Sequence, residues 1–436
     1  MNMKILVALH QVMDLGGIIN HTEQLIGGLK DLGHTVHLKQ FVYAMNAHDQ
    51  RRDGDFIVGP SGIPHNQGKG WNFTRMQRVS YRGGANLSSA KLILSGYDLV
   101  IWTVPVPSKN KENVGNHEWV DLYDLPAKVK QIAFVHDGNI RQGAPHILAI
   151  HDKLSGLACV HGCAMNGADF VPVPRAMILN PQEMPVREVA AWSSKKTGFV
   201  NMQTFKAWKH VHELIQAIAY MPIAKTNELR EVAGMGIEYQ YMTSEDKCKE
   251  EYFHYGVADA EGGPRWFSGM KYWDAALENG MTHHGYWNTN EVAAWLTQAR
   301  VLVDPSWSKK YSAIGGHWNR VVVDAMIHGV VPVATEMGMG TELFEEGVHY
   351  IGIPAGGADP QHYADTILEA SHMNYRLAEN FRSAALDVLP LFDRKTVAQQ
   401  IIDLANGNLE TVRGSLNGEM ADKASDIMLN HFGVLM

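Results

Sequence analysis

The chain has 436 residues, enough for two to three domains with sizeable buried cores, which excludes a single small module. Apolar residues make up 45% and charged residues 19%, and no run approaches the roughly 20 apolar residues of a membrane-spanning helix, so a soluble globular protein without a membrane partner is expected. A formal net charge of -8 argues against a protein that coats nucleic acid and leaves room only for a local basic groove.

Met1 to Val7 runs straight into an apolar strand without the regions of a secretory signal, and three cysteines cannot build a disulfide framework. Both features predict a cytoplasmic protein. Strand Lys4 to Leu9, a loop with Gly16 and Gly17, a helix near Asn20 to Asp31 stopped by Gly33, and strand Thr35 to Phe41 open an α/β series. Asp98 to Thr103, Gln131 to His136 and Gly156 to His161 read as further buried strands. The polar stretch Asn180 to Pro185, continuing to Lys196, is the linker candidate.

A second series follows. It comprises strand Thr197 to Met202, a helix near Lys209 to Tyr220, a strand near Ile237 to Met242, a helix near Asn290 to Gln298, strand Val301 to Val303, helix Asn319 to His328 and strand Val330 to Thr335. The region Lys247 to Asn279 yields no placed elements. The fold expected is α/β, with two Rossmann-like domains facing across a cleft. The boundaries are residues 1–185, 195–392, and 393–436 as C-terminal helices crossing back to the first domain.

The sharpest constellation runs from Val301 to Gly347. Glycines Gly315 and Gly316 precede a helix, where backbone N–H groups and the helix dipole favour an anion, and Asp324 sits one and a half turns in, placed for ribose hydroxyls. By spacing alone an ordinary strand-loop-helix unit fits equally well. The run Asn319 to Thr335, with its carboxylate, Ala-Met, Gly and Pro-Val strand, resembles the donor-site segment of retaining, glycogen-synthase-like GT-B glycosyltransferases. Pro305-Ser306 and Glu342 fall where that family carries matching residues. The resemblance implies that Gly315, Gly316, Asn319, Arg320 and Asp324 bind a nucleotide sugar, with UDP-glucose foremost. It implies no tightly bound cofactor and names no metal ligand. One departure stands out: the family's second carboxylate, eight residues before Asp324, is replaced here by Gly316.

The same family places a basic pair at the turn after its first C-terminal strand, where a cation stabilises a leaving diphosphate. Lys209 matches directly and Lys206 stands near the other position, although lysines at a helix start are ordinarily solvated. His283-His284-Gly285-Tyr286 falls at the loop beside the nucleotide base, placing His284, Gly285 and Tyr286 in the donor set. Gly16 and Gly17 match the family's N-terminal glycine loop.

His136-Asp137 ends a buried strand, where open α/β sheets hold ligands, though a core histidine and a helix-capping Asp are the plainer reading. This pair, Arg141, and the run His161 to Phe170 are similar to the branch that glucosylates hydroxymethylcytosine in T-even bacteriophage DNA, which also lacks the first donor carboxylate. That resemblance implies an acceptor hydroxyl near Asp137, a sugar contact for His136, and a host-cytoplasm setting. From Phe56 to Tyr97 there is no Asp or Glu, while Lys69, Arg75, Arg78, Arg82 and Lys91 are interleaved with Trp71, Phe73 and Tyr81. Such a stretch suits a phosphate backbone and unstacked bases, or is a solvated loop. Lys309 and Lys310 are further candidates to rim the same cleft. A saccharide or lipid-linked acceptor is the alternative, and a binding protein that has lost catalysis is the non-enzyme reading. Cys159, His161 and Cys163 do not suggest a structural zinc, since no second ligand pair accompanies them.

Overall fold

The computed structural model describes residues 2–10, 17–43, 77–106, 118–136, 147–184, 189–203, 209–234, 272–284, 289–307, 320–335, 343–354 and 359–413. The chain forms two compact units, the first from Met1–Glu183 with Leu391–Met436 and the second from Met184–Pro390.

Unit one contains β1 (Lys4–Leu9), α1 (Gly17–Asp31), β2 (Thr35–Val42), β3 (Gln77–Ser80), α2 (Gly84–Leu94), β4 (Leu99–Val104), α3 (Glu118–Asp121), β5 (Lys130–Val135), β6 (Gly156–Cys159), α4 (Gly162–Gly167) and β7 (Pro174–Met177). Unit two contains β8 (Lys196–Met202), α5 (Val211–Tyr220), β9 (Leu229–Ala233), α6 (Trp273–Glu278), β10 (Thr282–His283), α7 (Thr289–Gln298), β11 (Ala299–Asp304), α8 (Arg320–Ile327), β12 (Val331–Ala334), β13 (Ile351–Gly352), α9 (Pro360–His372) and α10 (Tyr375–Val388). The chain then returns to unit one as α11 (Arg394–Asn406) and β14 (Val412–Arg413).

The sheet of unit one has the order β14-β7-β6-β5-β4-β1-β2-β3 and is parallel except for the antiparallel β14–β7 pair. Side chains alternate across its strands. Leu6, Ala8, Val100 and Trp102 fill one core, whereas Ile5, Val7, Leu99, Ile101 and Phe134 fill another. The second core is closed by Leu25 and Leu29 of α1 and by Val397 and Ile401 of α11. These two helices touch backbone to backbone: a Cβ added at Gly28 would lie 2.0 Å from the Arg394 carbonyl oxygen. Only glycine permits that approach.

The sheet of unit two has the order β10-β9-β8-β11-β12-β13, entirely parallel among the described residues, with a core on one face that includes Phe199, Leu214, Ile218, Val301, Val333 and Ile367. Opposite β11, β8 carries one extra residue: Ala299 pairs Lys196 while Val301 pairs Phe199. The bulge includes Gly198 at φ 111°.

Several elements depart from the sequence reading. β3, α2 and β7 were not anticipated, and the stretch after Phe56, read as a possible loop, contains β3 and α2 where it is described. The strand beside β8 is β9; the one expected near Ile237 to Met242 lies outside the described residues.

Candidate active site

Each sheet reverses its strand order once, between β1 and β4 in unit one and between β8 and β11 in unit two. Parallel sheets bind ligands beyond the carboxyl ends of the strands at such crossover points.

In unit two that end is a buried polar platform. Asp304, closing β11, is fully buried and accepts from the Gln203 side-chain amide and, at 3.0 Å, from the Ser306 backbone N–H. Gln203 Nε2 also donates to Ser306 Oγ at 2.8 Å, and the Thr335 hydroxyl donates to the Ser306 carbonyl. Asn201 donates to the Val303 carbonyl at 2.9 Å. Polar groups so deeply buried are stable only when bonded, so this network pins the ends of β8, β11 and β12 and fixes the start of the loop after Asp304.

The titratable candidates of unit two follow β8, β10 and β11 in sequence. Lys209, half-buried, lies in the turn before α5. Arg320 Nε is 3.7 Å from Asp324 Oδ2 across one turn of α8, and Asp324 is about a quarter exposed. A cation in the first turn opposes the helix dipole, so Arg320 gains from an anion nearby, and Asp324 supplies one. His284 packs against Trp295 and bonds through Nε2 to Glu231 of β9. Because a carboxylate only accepts, Nε2 carries the hydrogen. His283, expected on a loop, belongs instead to β10, with ladder pairing to Val232.

In unit one, histidines gather at the strand ends. His10, after β1, stacks on Trp102 with ring centroids 5.0 Å apart, and burial pushes its pKa down to about 3. His136, after β5, bonds through Nε2 to the Thr103 carbonyl at 3.1 Å and is flanked by Phe134 and His21. Burial holds its pKa near about 4, so the ring is neutral at pH 7, with hydrogen on Nε2 and a lone pair on Nδ1. His161 caps α4: its Nδ1 accepts from the Ala164 N–H at 3.0 Å, while Nε2 donates to the His136 carbonyl at 3.2 Å. His161 therefore ties the end of β5 to the start of α4.

A pH dependence follows. The unfolded chain protonates these histidines near pH 6.5, whereas the folded chain resists until about pH 4 for His136 and about pH 3 for His10. Between those limits the unfolded state binds more protons, so stability is full above pH 6.5 and falls as the pH drops. Urea unfolding from pH 7 to pH 4.5 should show a steady decline; a flat profile through that window would refute the assignment.

Of the acceptor candidates, Arg78 is half-buried on β3 and Arg82 is exposed, its guanidinium 5.6 Å from the Tyr43 ring centre. Tyr81 is a correction. It is 1% exposed and packs edge-on to His10, so it belongs to the core and is removed from any stacking surface. Gly17 begins α1. Gly16, Lys69, Trp71, Arg75, Asp137, Arg141, Lys206, Gly285, Tyr286, Lys309, Lys310, Gly315, Gly316, Asn319 and Glu342 lie outside the described residues. Sequence reasoning passed over Gln203, Asp304, His10 and Glu231. The one available signal was a polar residue directly ending an apolar strand run, as in Val301-Leu302-Val303-Asp304.

Residues 261–372 match the family model described as glycosyl transferases group 1, about a quarter of the chain. The chain carries a group 1 glycosyl transferase segment in a GT-B fold. Among solved GT-B structures, an α-glucosyltransferase bound to UDP and a 13-mer DNA with an HMU base is similar with a TM-score of 0.63 at 12% identity. HepE of Anabaena, in complex with UDP and glucose, is similar with a TM-score of 0.58 at 14% identity. A TarM variant of S. aureus, bound to fondaparinux, α-GlcNAc-glycerol and UDP, gives 0.58 at 12%. Each match covers 93% of this chain and all of the other. No curated protein sequence matches the chain. The GT-B architecture and glycosyltransferase class implied by the sequence resemblance therefore stand. No helix among the described residues is long and apolar enough to cross a membrane.

Proposed function

We propose that the protein is a retaining glycosyltransferase that moves a sugar from a UDP-sugar, UDP-glucose foremost, to a hydroxymethyl-type pyrimidine in bacteriophage DNA. The observation that carries the donor half is the platform of Gln203, Asp304, Ser306 and Thr335 at the β8/β11 crossover, which lies in the unit that also contributes Lys209 and Asp324. In this reading Lys209, with Lys206, stabilises charge growing on the leaving diphosphate, and Asp324 accepts from ribose hydroxyls. Arg320, Asn319 and the amides of Gly315 and Gly316 face the phosphates, while His284, Gly285 and Tyr286 border the base.

On the acceptor side, His136 offers Nδ1 to a sugar hydroxyl, its tautomer set by the Thr103 carbonyl. Asp137, next in sequence to the His136 whose carbonyl His161 bonds, would orient the acceptor hydroxyl. Support for DNA comes from the Asp- and Glu-free stretch Phe56 to Tyr97, with Lys69, Trp71, Arg75, Arg78 and Arg82, and from the similarity to a DNA-bound glucosyltransferase. Arg141, Lys309 and Lys310 are further cations for the phosphate backbone, and the target base would be extruded from the duplex.

A saccharide or lipid-linked acceptor is the second reading, favoured by similarity to an S. aureus TarM variant and to the lipopolysaccharide galactosyltransferase WaaB. The two separate in one experiment. Duplex DNA carrying hydroxymethylated pyrimidines is incubated with the protein and a panel of UDP-sugars, then digested for nucleoside mass analysis. A nucleoside heavier by one hexose or pentose is the expected result. Unchanged nucleosides, with UDP released only when saccharides or lipid acceptors are added, would replace the DNA acceptor with the second one.

A further inference from the structure

Most histidines on the strand ends have a bonding partner in the protein: His136 with the Thr103 carbonyl, His161 with the His136 carbonyl, His284 with Glu231. His210 differs. It precedes α5 in the left-handed conformation, φ 50° and ψ 26°, which is strained for a non-glycine residue and persists only where its surroundings dictate it. Its side chain is fully buried, and neither ring nitrogen makes a hydrogen bond. Burying an imidazole without a hydrogen bond from the protein adds a desolvation penalty to the backbone strain.

The ring points at other ligand-type groups. Its Nδ1 lies 3.4 Å from Glu213 Oε1, and the ring of His212, also buried, is 5.2 Å away between centroids. One donor atom from each of His210, His212 and Glu213 falls within 4.8 Å of the other two. Zinc holds nitrogen and oxygen donors at about 2.0–2.2 Å, which sets tetrahedral donors roughly 3.3 Å apart, so a modest side-chain rotation closes the set. We propose that His210, His212 and Glu213 form a binding site for one divalent transition-metal ion of the zinc class at the start of α5.

Two neutral imidazoles and one carboxylate leave a fourth position in a tetrahedral sphere. The hydroxyl of Tyr363 on α9 is a candidate for it: it is buried without a hydrogen bond, α9 packs on α5, and Glu213 is among its electrostatic neighbours. The ion would satisfy one nitrogen of His210 and hold its backbone, which immediately follows Lys209. The site is thus a structural clamp on the turn that carries a candidate donor contact. It does not depend on which acceptor the protein uses, and its failure would leave the proposed function untouched.

The test uses the full chain, stripped with a chelator and titrated with Zn²⁺ and, separately, Co²⁺. One tightly held equivalent per chain, an intense visible spectrum characteristic of tetrahedral Co²⁺, and a rise in Tm on zinc addition are expected. Glu213→Gln and His212→Gln keep the side-chain volumes and should weaken zinc binding by about 100-fold or more, abolishing the Tm response. Absence of a tight equivalent in the parent overturns the proposal whether or not the variants fold. So does equal binding by parent and variants, since other members of the chain's 22 histidines would then be the ligands.

Discussion

Replacing Lys209 by alanine is expected to lower kcat by about 10²–10³-fold while leaving the donor KM within a few-fold, because in the proposed mechanism the lysine acts on charge that develops only as the diphosphate departs. The side chain is half-buried at the entry to α5, where it is held by a turn rather than by a mobile surface helix. Asp137→Ala should be the complement, abolishing turnover with UDP affinity nearly unchanged. Steady-state UDP release and titration calorimetry with UDP separate the two. If Lys209→Ala turned over within about threefold of the parent, less than 1 kcal/mol of transition-state stabilisation, leaving-group stabilisation would have to be assigned elsewhere. Surviving activity in Asp137→Ala would likewise move the active centre.

Gly198→Ala should be the most damaging small substitution for stability. The residue sits in the bulge of β8 at φ 111°, and an added Cβ would lie 2.0 Å from the Leu229 carbonyl oxygen and 2.6 Å from its nitrogen, both backbone atoms of the neighbouring strand. Neither can rotate away, and the backbone conformation itself is one that side chains disfavour. A loss of about 3 kcal/mol or more is expected, read as a lowered denaturant midpoint or loss of the cooperative transition of unit two. A change below about 1 kcal/mol would mean that β9 shifts aside at little cost.

The parts of the fold that could be read from sequence are those whose partners are generic. β1 alternates between two cores and is apolar from Ile5 to Leu9, so the run declares itself a buried strand without reference to its neighbours. The amphipathic face of α5 is equally self-evident, with Val211, Leu214, Ile215 and Ile218 buried. β9 illustrates the opposite case. Arg230 and Glu231 sit side by side in Leu229–Ala233, a pattern that reads as surface, yet both are buried because Arg230 bonds to Glu228 and the Asn279 carbonyl while Glu231 holds His284. Partners some fifty positions away decide that burial. β3 hides for a different reason: at the edge of its sheet, only Val79 needs to be apolar.

The candidate site divides in the same way. His136 could be picked out as the polar end of an apolar run, and the spacing around Asp324 was informative once the resemblance was noticed. Gln203 carried no such mark, since its meaning comes from Asp304 and Ser306, about a hundred positions later. Tyr81 misled because basic neighbours made an aromatic look like a stacking platform, whereas it fills the core beside His10 and Tyr43.

The junction of α1 with α11 bears on how the protein is made. The sheet face bearing Ile5, Val7, Ile101 and Phe134 needs Val397 and Ile401 for its cover, so a nascent chain exposes that face while all of unit two is being synthesised. At about 5–20 residues per second the delay is on the order of ten seconds or longer, ample for apolar surfaces on neighbouring nascent chains to meet. Unit two, contiguous in sequence, has no such wait. The order of birth is thus the reverse of the order of maturity: the half that leaves the ribosome first is the last able to finish, and a chaperone or slow translation would matter to it far more than to its partner.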